Sequence, residues 1–89
     1  MRSVITVTGE DAVGIIARVS GYLASNGINI VDISQTTHQN KFLMVMLVDM
    51  DGSEVVFSRA VKELKELGLK IGQRINMRHE QVFNSMHRI

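Results

Sequence analysis

Residues 3–8 read Ser-Val-Ile-Thr-Val-Thr, β-branched at almost every position and halted by Gly9. Such a run predicts a strand with Ile5 and Val7 on one face. The period then changes. Across residues 13–26, Ile15, Ile16, Val19, Tyr22 and Leu23 recur at three-to-four spacing, while Arg18 and Ser25 fall opposite, which predicts an amphipathic helix. Asp11 is the side chain best suited to cap it, since a carboxylate accepts from a free backbone N–H. Asn26-Gly27 ends it, glycine being able to take the left-handed conformation. Residues 28–37 predict a second strand, residues 38–41 a polar hairpin connection, and residues 42–48 a third strand. That third stretch is apolar without alternation, as expected of a central strand covered on both faces or partly covered by another subunit.

Past the loop at residues 49–53, a second helix is expected from about 54 to 67. Val56, Phe57, Ala60, Val61 and Leu64 form its buried stripe, Ser53 its cap and Gly68 its terminator. Residues 69–77 alternate as a fourth strand, with Leu69, Ile71, Ile75 and Met77 on one side. In the tail, Val82, Phe83, Met86 and Ile89 recur at helical spacing, so a short amphipathic helix is expected to lie on the sheet or on a partner chain. The order β-α-β-β-α-β predicts an α+β, ferredoxin-like sandwich: a four-stranded antiparallel sheet with two helices on one face. Residues 1–78 form the domain, and residues 79–89 an amphipathic extension.

Size and charge narrow the function. An 89-residue chain buries too little surface for more than marginal stability, and a second copy would bury more. Ten basic residues face nine acidic ones, which argues against a nucleic-acid binder and against electrostatic membrane attachment. No apolar run approaches the ~20 residues of a membrane span, and the first residues lack a signal-peptide pattern. A cytoplasmic location is expected. Cysteine is absent, so thiolate chemistry is unavailable. No cofactor or metal motif stands out. The segment at residues 9–14 has neither the ending of a P-loop nor dinucleotide-binding glycine spacing. Residues 49–54 lack the full acidic spacing of a calcium loop. His38, His79 and His87 are dispersed, with no ligand set and no catalytic triad context. Arg59, Lys62, Lys65, Lys70, Arg74 and Arg78 are interleaved with Glu63 and Glu66 and read as a solvated face.

The corner from Gly9 to Ile15 carries the candidate chemistry. A helix N-terminus has unsatisfied N–H groups and a positive dipole end that suit a carboxylate, and Asp11 could pair with an ammonium. The plainer reading makes Asp11 a cap and Gly14 a close helix–sheet contact. Asn29 reads equally as a turn residue. Asp32 and Ser34 alternate toward an open sheet face or a dimer edge.

Two segments add a resemblance. GEDAVGI at residues 9–15 places an acid three positions before a glycine at a helix start, and NGINIVDI at residues 26–33 opens the second strand. At this separation the chain resembles the ACT domain, a ferredoxin-like module of amino-acid sensing, over residues 2–78. With its tail it is similar to the small stand-alone ACT-domain proteins related to glycine-cleavage regulators. The resemblance implies a non-catalytic regulatory homodimer that binds an amino acid or similar small ligand between subunits. It carries the ligand contacts onto Gly9, Glu10, Asp11, Ala12, Val13, Gly14 and Ile15, with Asn29 and Ile30 supplied by the neighbouring domain. It also implies a regulated protein partner. Gly9 stands where some serine-sensing members have histidine, and Val13 where they have proline. The alternative is a protein-interaction module without a small ligand, docking through the stripe at Val82, Phe83, Met86 and Ile89.

Overall fold

The computed structural model describes residues 1–86. Its elements run β1 (Arg2–Glu10), α1 (Ile15–Ser25), β2 (Asn29–His38), β3 (Lys41–Asp49), α2 (Phe57–Ile71), β4 (Gln73–His79) and α3 (Glu80–Met86). The strands form one antiparallel sheet in the order β2-β3-β1-β4, which leaves β2 and β4 at the edges. This is the expected ferredoxin-like sandwich.

Paired residues share a face, so the register assigns the core. Ile5 and Val7 of β1, Met44, Met46 and Val48 of β3, and Ile75 and Met77 of β4 point toward the helices and are buried. They meet Ile15, Val19 and Leu23 of α1 and Ala60 and Leu64 of α2. On the opposite face Leu43 is 44% exposed, and Val45 and Leu47 are half-buried. Among the described residues, the third strand is therefore not covered on both sides. Val4 lies on that open face, opposite Leu47 and Arg78, yet is buried; α3 packs against β1 and β4 beside it. Val82 and Met86 remain exposed, while His87 and Ile89 lie outside the described residues.

Several element ends differ from the sequence reading. Helix α1 starts at Ile15 because Gly14 takes the left-handed conformation (φ 87°), and no side chain caps it, so Asp11 is not the cap. Ile16 is consequently only at the rim of the buried stripe and is 38% exposed. Helix α1 ends as expected: the Gly27 N–H donates to Ala24 O, the Ile28 N–H to Leu23 O, and Gly27 is left-handed. Ser53 does not cap α2. Its hydroxyl accepts from the Val55 N–H and donates to Val55 O, closing a local turn. The helix begins at Phe57, with Val56 at its cap position and largely exposed.

Gly68 does not end α2 either. It is buried inside the helix, where a Cβ would lie 2.5 Å from Gln73 O, so its bareness lets α2 approach β4. Gly72 is the terminator. Leu69 and Ile71 thus belong to helix rather than strand, and Leu69 is exposed.

The two helices are joined by Tyr22, whose hydroxyl donates to Glu63 Oε1 at 2.6 Å, while Arg59 pairs with the other oxygen at 3.3 Å. The Tyr22 hydrogen bond, with help from Arg59, holds Glu63 below its ordinary value of 4.5. Burial, and then the Glu63 bond, raises Tyr22 above 10.0. The lowered carboxyl contributes stability above its unfolded value that is lost as pH falls through the folded one. The raised phenol contributes below its unfolded value, and that contribution is lost as pH rises through its folded one. Tyr22→Phe should therefore lower Tm across roughly pH 5–9. Its deficit against wild type should narrow on acidification, which thermal melts across a pH series would check.

Candidate functional site

Strand β1 runs out at Glu10, and the chain turns through residues 11–14 into α1. The Asp11 N–H donates to Asn40 O at 2.7 Å, which ties this corner to the tip of the β2–β3 hairpin. That tip is a two-residue turn at Gln39 and Asn40, both left-handed, the backbone shape that matches strand twist. Beyond the corner, Gly14 accepts the first helical bond from the Arg18 N–H. The N–H groups of Ile15, Ile16 and Ala17 have no partner inside the helix, and no side chain takes them.

The residues that carry these groups line a cleft of about 240 Å³ between the start of α1 and β2. Asp11, Ala12 and Gly14 form its loop side, and Ile15, Ile16 and Ala17 its helix side. Gln35 and Thr37 of β2 and Phe42 of β3 complete it. A carboxylate fits the helix end, where the N–H groups and the dipole favour negative charge. The exposed Asp11 carboxylate is a partner for a cation, and the Gln35 amide and Thr37 hydroxyl offer further hydrogen bonds beside an apolar wall.

Of the residues singled out in the sequence, Asp11, Ala12, Gly14 and Ile15 line this cleft. Val13 projects fully into solvent. Gly9 and Glu10 are engaged with β4: the Gln73 amide donates to Glu10 O at 2.7 Å, and a Cβ on Gly9 would lie 2.5 Å from Gln73 Oε1. Asn29 and Ile30 sit at the other end of β2, Asn29 opposite Asp49, whereas the cleft lies near Thr37 and Phe42. Within one chain they do not meet the loop.

Gln35 and Thr37 were not singled out. A bulge between Ile30 and Asp32 shifts the phase of β2 by one residue. Past it, Ile33, Gln35 and Thr37 share the helix side with Met46, Met44 and Phe42, and Asp32 and Ser34 turn to the open face. Counting back from a two-residue turn at Gln39 and Asn40 gives the same pairing, so the signal was present in the hairpin.

The remaining polar groups are placed apart. The Met1 ammonium bonds to Asp51, which it holds below the ordinary carboxylate range, and Asp49 accepts from the Asp51 N–H. His79 stacks on Phe57, ring centres 4.0 Å apart. Among the described residues no three histidine, cysteine or acidic side chains converge as a metal set. Arg74 and Arg78 lie on the open sheet face, and Arg59, Lys62, Lys65 and Lys70 on α2, with Lys65 and Arg74 lining one groove between the two elements. No described helix is long and apolar enough to cross a membrane.

The sequence profile of the ACT domain matches residues 2–78. The chain belongs to the ACT domain family. It is 51% identical over 89 residues to a UPF0237 protein of Clostridium acetobutylicum, covering 100% of both chains. An ACT domain protein from Streptococcus pneumoniae superposes with a TM-score of 0.82 at 37% identity, over 98% of each chain. A chain assigned as a glycine cleavage system transcriptional repressor superposes at 0.76 and 27% identity, over 86% of this chain and 44% of that one. ACT domains are regulatory ligand-binding domains, and this ACT chain is placed in that class.

Proposed function

We propose that this ACT protein is a non-catalytic sensor that binds an amino acid, or a similar small zwitterion, at a homodimer interface. The observation that carries the reading is the uncapped start of α1 at Gly14, open to a cleft with the Asp11 carboxylate at its rim. The similarity to the chain assigned as a glycine cleavage system transcriptional repressor supports an amino acid as the ligand class.

The edge position of β2 supports the dimer. The strand is ten residues long, its charged side chains are few, and Val31 and Ile33 are exposed along it, with Ile16 of α1 exposed across the cleft from Gln35 and Thr37. An exposed edge of this kind invites pairing. Antiparallel pairing of two β2 strands about a two-fold axis sets the Asn29 end of one beside the His38 end of the other. The hairpin tip there is tied to Asp11, so Asn29 and Ile30 of the second copy approach the cleft. Ligand bound across that seam stabilises the dimer by mass action. A regulated protein partner would dock on α3, where Val82 and Met86 are exposed.

Titration with glycine, serine and the other amino acids, read by thermal shift and calorimetry, tests the proposal. One of them should raise Tm in a concentration-dependent way. Asp11→Asn should weaken its binding on the order of tenfold, the scale of a lost charged hydrogen bond. No response to any amino acid removes the sensor reading.

A further inference from the structure

We propose that the outer edge of β4 accepts an extended acidic segment of another protein as a fifth strand. This concerns the edge opposite β2 and does not depend on the ligand cleft. Among the described residues β4 pairs with β1 alone, which leaves one side of its backbone open there. Beside that side runs a cleft of about 570 Å³ between β4 and the end of α2. Gly72 leaves backbone bare in it, and Leu69, 84% exposed, forms an apolar lip. Its charged lining residues are Lys65 and Arg74, both cations.

The register defines what would fit. Arg74, Asn76 and Arg78 pair with Thr8, Thr6 and Val4 and so lie on the open face. Gln73, Ile75 and Met77 lie on the helix face, and Ile75 and Met77 are already buried. Cross-strand neighbours share a face. An added strand therefore needs acids opposite Arg74 and Arg78, a polar residue opposite Asn76, and apolar residues opposite Ile75 and Met77, the first of them entering the groove beside Leu69. The repeat is acid–apolar–polar–apolar–acid. Strand addition of this kind draws affinity from main-chain bonds and selectivity from alternate side chains.

A second copy is the poorer occupant. Antiparallel self-pairing of β4 about Asn76 sets Arg74 against Arg78 of the other chain, and like charges directly opposite are destabilising. Arginines on an edge also guard against aggregation, but guarding needs no apolar groove beside the strand.

The test uses the full chain and a peptide Glu-Val-Ser-Val-Glu-Val blocked at both ends, followed by backbone amide NMR and hydrogen exchange. Shifts and slowed exchange should concentrate at residues 73–79 and near Leu69, and binding should weaken as salt rises. The lysine counterpart, Lys-Val-Ser-Val-Lys-Val, should bind on the order of tenfold more weakly, the sum of two exposed charge pairs. Arg74→Glu with Arg78→Glu should reverse the preference. Perturbation at the β2 edge instead, equal binding of the two peptides, or no perturbation of β4 overturns the proposal. The peptide comparison on the unmodified chain decides even if the double variant folds poorly.

Discussion

Gly27→Ala should destabilise the fold by about 2–5 kcal/mol, the largest loss expected from removing no side chain at all. Two costs add. Gly27 holds φ 70°, where an L side chain costs roughly 1–2 kcal/mol. A Cβ there would also sit 2.5 Å from the carbonyl oxygen of Gly52. That oxygen is backbone and cannot rotate away, so the junction between α1 and β2 must part from the loop before α2, at an overpacking cost of about 1–3 kcal/mol. The Glu54 N–H donating to Asn26 O at 2.8 Å would be stretched in the same movement. For a chain this short, Tm should fall by roughly 10–25 °C, measurable by thermal melts and urea denaturation. Gly52→Ala is the matched control. Its Cβ would meet Gly27 O at 3.2 Å, and Gly52 is not among the left-handed glycines, so a clearly smaller loss is expected.

Gly14→Val should do the converse, sparing the fold and abolishing the ligand response. Gly14 has the same sign of φ, 87°, but nothing lies within 4 Å of its Cβ position. The stability cost is then conformational only, about 1–3 kcal/mol for a strained non-glycine residue. The new side chain would crowd the approach to the N–H groups at the head of α1, the feature on which the proposed carboxylate contact depends. Amino-acid affinity should drop by more than about tenfold, equivalent to over 1.4 kcal/mol. The two readouts separate cleanly: calorimetry should lose the binding heat, while the melt of the unliganded protein shifts by only part of the Gly27→Ala loss. Unchanged affinity in Gly14→Val would argue that the head of α1 does not hold the ligand.

The contrast between these glycines shows what sequence could and could not disclose. Alternation in β1 and the stripe Ile15, Val19 and Leu23 revealed topology because burial acts on them directly. Element ends were harder. Asp11 is a good cap by type, yet the chain reaches its helical turn only after Gly14, so the carboxylate is left over. Gly68 looked like a stop because glycine usually is one. Here the packing of α2 on β4 required a missing Cβ within the helix, and tertiary contact overrode local preference. Leu69 and Ile71 changed assignment with it. The cleft was half legible for a related reason. Its loop wall lies in one short segment, whereas Gln35 and Thr37 are set on that side by the turn at Gln39 and Asn40, and the extra residue at Val31 hides this from a count that starts at the head of β2. The open sheet face was visible in advance only as a puzzle, a third strand too apolar for one covered side.

The bond from the Asp11 amide to the Asn40 carbonyl gives the corner its final significance. Loop and hairpin tip are latched, so neither can swing as a flap without the other. In the proposed dimer the same hairpin supplies the strand that meets the second subunit. Ligand at the corner and pairing at the seam would thus bear on the two ends of a single backbone bond.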